Sequence, residues 1–175
     1  MSAGRALLPF ACLLAAGCVA PHSAPDLARS GPELRPELFF AGETRGRGTL
    51  KVAGRRPRSF DVVSTGQRQG EAIRVDQSIR YSDGKVEQRF WVLRPSGPNR
   101  YEGQLSDAAG PVRAETSGNS LRLRYLLRRP AIVMEQWLTL QPDGRTLRNE
   151  GTVRAFGIPV GRLSEQIVRA DPAPR

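Results

Sequence analysis

Side chains that do chemistry are most often His, Cys or one of a pair of carboxylates. The chain has a single His, His22, close to its N-terminus, and two Cys, Cys12 and Cys18. With no His beyond position 22, a Ser-His-Asp or Cys-His site in the body of the chain is excluded, and so is a His-rich metal site. The acids in or near strand-like segments are Asp61, Asp76, Glu87, Asp107, Glu115, Glu135, Glu150 and Glu165. A glycosidase-like pair needs two carboxylates a few ångströms apart, which chain spacing does not decide. No GxSxG, GxGxxG or P-loop sequence is present. The run Arg45–Thr49 (RGRGT) has two glycines but little else of a phosphate loop. This inventory argues against catalysis and gives no reason to expect a cofactor or a metal.

The other chemistry available to a cysteine is attachment. Residues 1–5 carry one positive charge, and Ala6–Ala16 is an apolar run of eleven residues (ALLPFACLLAA). A bilayer-spanning helix needs about 20 such residues. A basic start, a short apolar run and small residues after it make a secretory signal peptide. The sequence Ala15-Ala16-Gly17-Cys18 resembles a bacterial lipobox, with Leu14 one position further back than usual. Residues 1–17 are therefore expected to be a lipoprotein signal peptide, and Cys18 an acylated first residue. Plain cleavage near Ala16, giving a soluble periplasmic protein, is the competing reading. Cys12 leaves with the signal, so the mature chain has no disulfide although its compartment permits one. Each buried acyl CH₂ contributes about 0.8 kcal/mol, and two or more chains hold a protein stably on a membrane. Val19, rather than Asp, follows the Cys; by resemblance to lipoprotein sorting rules this points to the outer membrane, facing the periplasm.

The 27 basic residues outnumber the 17 acidic ones, for a net charge of +10. Such a charge suggests nucleic acid at first sight. Export removes that partner and leaves anionic lipid or cell-wall polymer. Only Lys51 and Lys85 are lysines, and this excess of Arg also fits a GC-rich genome.

Residues 18–36 hold the lipidated Cys and a Pro-rich segment without apolar periodicity, read as a flexible tether spanning roughly 25 Å. Residues 37–170 form the single domain, and 171–175 a short tail. Within the domain ten short segments show period-two alternation, separated by Gly, Pro, Asn and Asp. They are Gly48–Val52, Ser59–Thr65, Glu71–Tyr81, Lys85–Leu93, Arg100–Ser106, Val112–Thr116, Ser120–Arg128, Val133–Leu140, Thr146–Arg154 and Val160–Val168. This pattern predicts an all-β antiparallel barrel or sandwich. In SLRLRYLLR, Leu121, Leu123, Tyr125 and Leu127 share one face, and Arg122, Arg124 and Arg128 the other.

Asp83-Gly84 signals a two-residue hairpin turn. Its register sets Tyr81 against Val86, Ile79 against Gln88 and Val75 against Val92, with Arg80 facing Glu87 and Asp76 near Arg89. A slip of one residue would oppose Ile79 to Glu87, so the apolar pattern selects the first register. At Pro142-Asp143-Gly144 two registers stay open. One sets Leu140 against Leu147 and Leu138 against Asn149; the other sets Trp137 against Asn149.

The residues from 38 to 168 resemble the bacterial envelope lipoproteins grouped as domain of unknown function 3833. The resemblance runs from Leu38-Phe39-Phe40, Gly42 and Gly48 through Phe60, Val62, Gly66, Tyr81, Asp83-Gly84, Arg89 and Trp91. It continues with Tyr101, Gly103, Asp107, Gly118-Asn119, Leu121 and Tyr125, then Trp137, Asn149, Phe156-Gly157 and Val160-Gly161. It departs at Leu123, where the family favours Trp, and at Glu135-Gln136, where it favours paired acids. The resemblance implies an envelope lipoprotein with a lipocalin-like antiparallel β-barrel, for which the alternating segments allow 8–10 strands. It supplies no reaction, and it leans weakly towards lipid-related work.

Arg89, Tyr125, Trp137 and Asn149 are the candidate ligand-binding residues, as polar groups lining an otherwise apolar interior. The competing reading gives them, with Asp107 and Asn119, structural duties such as turns and ion pairs. The favoured function is a non-catalytic barrel holding a lipid, a fatty acyl chain or another apolar ligand. The alternatives are a filled barrel that contacts an envelope partner and, least favoured, a hydrolase or isomerase. Whether the interior is open or filled separates the first two.

Overall fold

The computed structural model describes residues 31–170. The signal segment 1–17, Cys18, His22 and the tail 171–175 lie outside the described residues. A short helix, α1 (Pro36–Phe39), precedes ten strands: β1 (Gly42–Val52), β2 (Arg58–Gln69), β3 (Ala72–Tyr81), β4 (Val86–Gly97), β5 (Arg100–Leu105), β6 (Val112–Ser117), β7 (Ser120–Arg128), β8 (Ile132–Leu140), β9 (Thr146–Ala155) and β10 (Ile158–Arg169). Each of the ten alternating segments of the sequence corresponds to one of these strands. Every strand pairs antiparallel with its chain neighbour, and β1 pairs with β10 from Thr44↔Arg169 to Val52↔Gly161, closing a barrel. Closure removes the unpaired edges that an open sheet exposes.

Alternation does the sorting. On β7, Leu121, Leu123 and Tyr125 are buried while Arg122 and Arg124 are exposed; on β2, Phe60, Val62 and Ser64 are buried and the residues between them are not. The turns at 70–71, 98–99, 118–119 and 141–145 gather at one end, and those at 53–57, 82–84, 106–111, 129–131 and 156–157 at the other.

The first end is plugged. Leu34, Phe39 and Phe40 are all buried, and the Leu34 amide donates to the Gly118 carbonyl at 2.9 Å. Phe40 meets Trp91 edge-on at 4.8 Å. Glu37, also buried, accepts from Arg35 (2.9 Å) and from the Tyr101 hydroxyl (3.3 Å). Gly66 makes the plug possible, because a Cβ there would lie 1.7 Å from the Phe40 carbonyl oxygen. The segment read as tether thus ends sooner than position 36: Leu34 and Pro36 belong to the packed body. Two isolated apolar residues in a Pro-rich stretch gave no periodic signal of this.

The β3–β4 hairpin takes the register one residue away from the one the apolar pattern selects. Ile79 faces Glu87, Gln77 faces Arg89 and Val75 faces Trp91. The loop is the three residues Ser82-Asp83-Gly84, not Asp83-Gly84 alone. Gly84 is left-handed (φ 85°), the Tyr81 amide donates to the Lys85 carbonyl (2.9 Å), and Asp83 accepts the Lys85 amide (3.1 Å). This is the three-residue loop with a left-handed last position. Its consequence is that Glu87, Arg89, Trp91 and Leu93 point inward. The expected Arg80–Glu87 and Arg89–Asp76 pairs do not form; Asp76 pairs with Arg74 at 2.7 Å. The slip is tolerated because the inward charges neutralise one another. Outside, Phe90 lies under the Arg74 guanidinium at 4.5 Å.

The β8–β9 hairpin adopts the first of its two registers, Leu140↔Leu147 and Leu138↔Asn149. Loop 142–145 keeps that pairing. Gly144 is left-handed (φ 66°), and the Asp143 carboxylate accepts the Arg145 and Thr146 amides at 2.9 Å each.

Candidate functional site

The barrel encloses a cavity of about 230 Å³. Its wall is mostly apolar, with Phe60, Val62, Ile79, Leu123, Met134 and Leu163 among the lining residues. Glycines set its shape. Gly46 and Gly48 of β1 face inward, where a Cβ would meet Glu165 Oε1 at 2.2 Å and the Phe60 ring at 2.5 Å respectively. The RGRGT run is therefore no phosphate loop: its glycines make room for Glu165 and Phe60.

Two polar stations interrupt the apolar wall. The first lies near the unplugged end. Arg89 Nη1 donates to Asp107 Oδ2 (2.8 Å), and Nη2 donates to Glu87 Oε2 (2.6 Å) and to the Tyr81 hydroxyl (3.3 Å). Lys85 Nζ reaches Glu87 Oε1 from the rim (2.7 Å). These donors hold the Glu87 carboxyl down at about 2, the Lys85 hydrogen bond first and Arg89 next, against the cost of burial. Tyr125 stands beside this station; burial, then the Asp107 charge, pushes its hydroxyl above the ordinary tyrosine range. Arg58 caps the Tyr81 ring at 4.0 Å and pairs with Asp83 at 2.7 Å.

The second station lies nearer the plug along β9 and β10. Asn149 Nδ2 donates to Glu165 Oε2 at 2.9 Å. Asn149 is only 4% exposed, and its Oδ1 is buried without a hydrogen-bond partner. Burial raises the Glu165 carboxyl to about 7, and only the Asn149 hydrogen bond opposes the shift. A buried polar atom with no partner costs free energy until something supplies one.

Of the residues singled out in the sequence, Arg89, Tyr125 and Asn149 line the cavity. Trp137 does not. It lies in the outward phase of β8, between inward Gln136 and Leu138, and the Arg122 guanidinium sits 5.2 Å from its ring. With Asn149 opposite Leu138 rather than Trp137, the two share no face. Asn119 serves the fold, donating to the Leu140 carbonyl at 2.9 Å. Glu135 faces outward and pairs with Arg122 (2.8 Å), while Gln136 lines the cavity. Glu165 is one of the eight candidate acids of the sequence but not one of the candidate lining residues, although it sits between Leu163 and Ile167 in the apolar phase of β10. The predicted β3–β4 register turns Glu87 outward, and the observed one turns it in; Tyr81 and Gln77 lie on the apolar face in both registers but are not among the residues singled out. Among the described residues, no cluster of three or more His, Cys, Asp or Glu is arranged to hold a metal.

Ten antiparallel strands closed around a partly apolar cavity define a barrel of the lipocalin-like kind. Residues 12–169 match the family described as "Protein of unknown function (DUF3833)", and the chain belongs to that family. No curated protein matches it. Among solved structures it is similar to the S-type phycobiliprotein lyase CPES from Guillardia theta, with a TM-score of 0.60 and 10% identity over 78% of this chain and 91% of that one. It is similar also to Rv2717c from M. tuberculosis, with a TM-score of 0.60 and 21% identity over 79% of this chain and all of that one. A protein of unknown function from Nostoc punctiforme, of the DUF3598 family, gives a TM-score of 0.52 and 15% identity over 79% of this chain and half of that one. At such identities the likeness is one of fold.

Proposed function

We propose that this protein is an outer-membrane-anchored lipoprotein whose barrel binds an apolar or amphipathic ligand. The cavity carries the reading: about 230 Å³, walled mainly by apolar side chains and interrupted by two groups of polar ones. Ligand pockets combine these features, usually at about 300–1,000 Å³, so this cavity suits a small ligand or part of a larger one. The anchor rests on the signal-like segment 1–17 and Cys18. An open cavity weighs against a filled barrel that acts only as a scaffold. Acid–base catalysis is disfavoured because Glu87 and Asp107, the carboxyls that come close together, are both engaged by Arg89.

Native mass spectrometry of gently purified protein tests the binding reading. A co-purifying small amphiphile, lost on solvent extraction and restored on adding it back, is the expected result. Protein that stays apo and takes up no apolar probe would overturn it. The anchor has a separate test: Cys18→Ser releases the protein from membranes, and unchanged partition refutes acylation at Cys18.

A further inference from the structure

The cavity's charges restrict what a ligand can bring into it. Resting on the reading that the cavity takes an amphiphile, we propose that it selects a head group that donates hydrogen bonds and bears no negative charge, a primary amine above all, and receives it at Asn149 and Glu165.

The first observation is the lack of a free cation. Among the charged residues that line the cavity, Arg89 is the cation, against Asp107 and Glu165. Both terminal nitrogens of Arg89 are already engaged, Nη1 by Asp107 and Nη2 by Glu87 and Tyr81. Lys85 stands at the rim and is bound to Glu87. An entering carboxylate or phosphate would find the charge of Arg89 already balanced by Asp107 and Glu87, and it would meet a further carboxyl at Glu165. Burying an anion without a partner is strongly unfavourable.

The second observation is a pair of acceptors. Asn149, a residue of the cavity lining, has spent one amide hydrogen on Glu165 Oε2, while its Oδ1 is buried and has no partner. Glu165 Oε1 sits in the hollow left by Gly46, and Glu165 has no basic side chain bonded to it. A primary ammonium supplies three donors and one positive charge. It would satisfy Asn149 Oδ1, bridge to the Glu165 carboxylate and offset the interior's negative excess. A hydroxyl would satisfy Oδ1 alone, so it ranks second. A carboxylate satisfies neither.

Three probes of equal chain length separate the head groups: octylamine, 1-octanol and octanoate. Calorimetric titration at pH 8 is expected to rank octylamine tightest and to place octanoate about tenfold weaker or more. Glu165→Gln is expected to weaken octylamine by about tenfold while leaving 1-octanol within about twofold. Asn149→Ala is expected to weaken both. Octanoate binding as tightly as octylamine, or octylamine indifferent to Glu165→Gln, would overturn the proposal. Binding of the apolar probe N-phenyl-1-naphthylamine distinguishes the failures. If it binds and the head groups are not discriminated, the head-group assignment falls alone. If neither it nor any of the three binds, the ligand-binding reading falls as well.

Discussion

The two polar stations of the interior are built from the same residue type and titrate in opposite directions. At the unplugged end Glu87 sits among Lys85, Arg89 and Tyr81, and its carboxyl is held down at about 2. Nearer the plug Glu165 has Asn149 and an apolar wall, and its carboxyl rises to about 7. Burial acts on both; the difference is the supply of donors. The first station is complete, and a satisfied ion-pair network of this kind organises the wall. The second is left with an acceptor unfilled. A closed set of pairs reads as structure, and an open one as a place for a guest.

The linkage signs differ accordingly. The folded chain holds the Glu165 proton more tightly than the unfolded chain does. Its contribution to stability is therefore full below about 4.5 and lost as pH rises towards about 7, by up to about 3 kcal/mol. Glu87 does the reverse: its contribution is present above about 4.5 and is lost as pH falls towards about 2. The largest expected effect is thus in Glu165→Gln. Urea unfolding at pH 5 and pH 8 is expected to show a fall in stability for the wild type that the variant lacks. Equal falls in both would place the pH dependence elsewhere.

Arg89→Met would turn the complete station into an incomplete one. At pH 7 it is expected to cost about 2 kcal/mol, with Glu87 and Asp107 left without their shared cation. The loss should narrow as pH falls from about 4.5 towards about 2, where the wild type loses the contribution of Glu87. A pH-independent loss would mean that only packing had been removed. Gly48→Ala comes next, at about 1–2 kcal/mol, because its Cβ would crowd Phe60 and the Ser164 carbonyl oxygen, at 2.5 and 2.6 Å. Denaturation of this variant measures how tightly the glycine hollow is built. Trp137→Leu is the smallest. With its side chain on the outer face it is expected to cost less than about 1 kcal/mol and to leave probe binding unchanged. Reduced probe affinity would show that Trp137 reaches the interior after all.

All ten strands were legible in the sequence because period-two alternation is a local signal, repeated at every barrel wall. The β8–β9 register was narrowed to two possibilities for the same reason. The β3–β4 register was not legible. Alternation assumes that charges face water, whereas Glu87 and Arg89 face inward and are balanced together with Asp107, which follows the neighbouring strand β5 eighteen residues further along the chain from Arg89. No local pattern carries such a pairing. The same assumption leaves Glu165 one candidate acid among eight rather than a wall residue. The glycines of RGRGT were visible but unexplained, since what they accommodate comes from β2 and β10. Arg89, Tyr125 and Asn149 were placed on the inside through the family resemblance. The resemblance groups Trp137 with them, but it does not fix the face, and the register sets Trp137 opposite Glu150 on the outside.

The claim on which the rest depends is that the cavity is a binding site. Leu123 lines it. Leu123→Trp would fill much of the space without adding charge. The direct measurement is fluorescence titration of N-phenyl-1-naphthylamine into the wild type and Leu123→Trp, with circular dichroism confirming that both are folded. Saturable binding to the wild type and affinity about tenfold lower or more in the variant is the expected result. Equal binding to both, or no binding to the wild type, would contradict it.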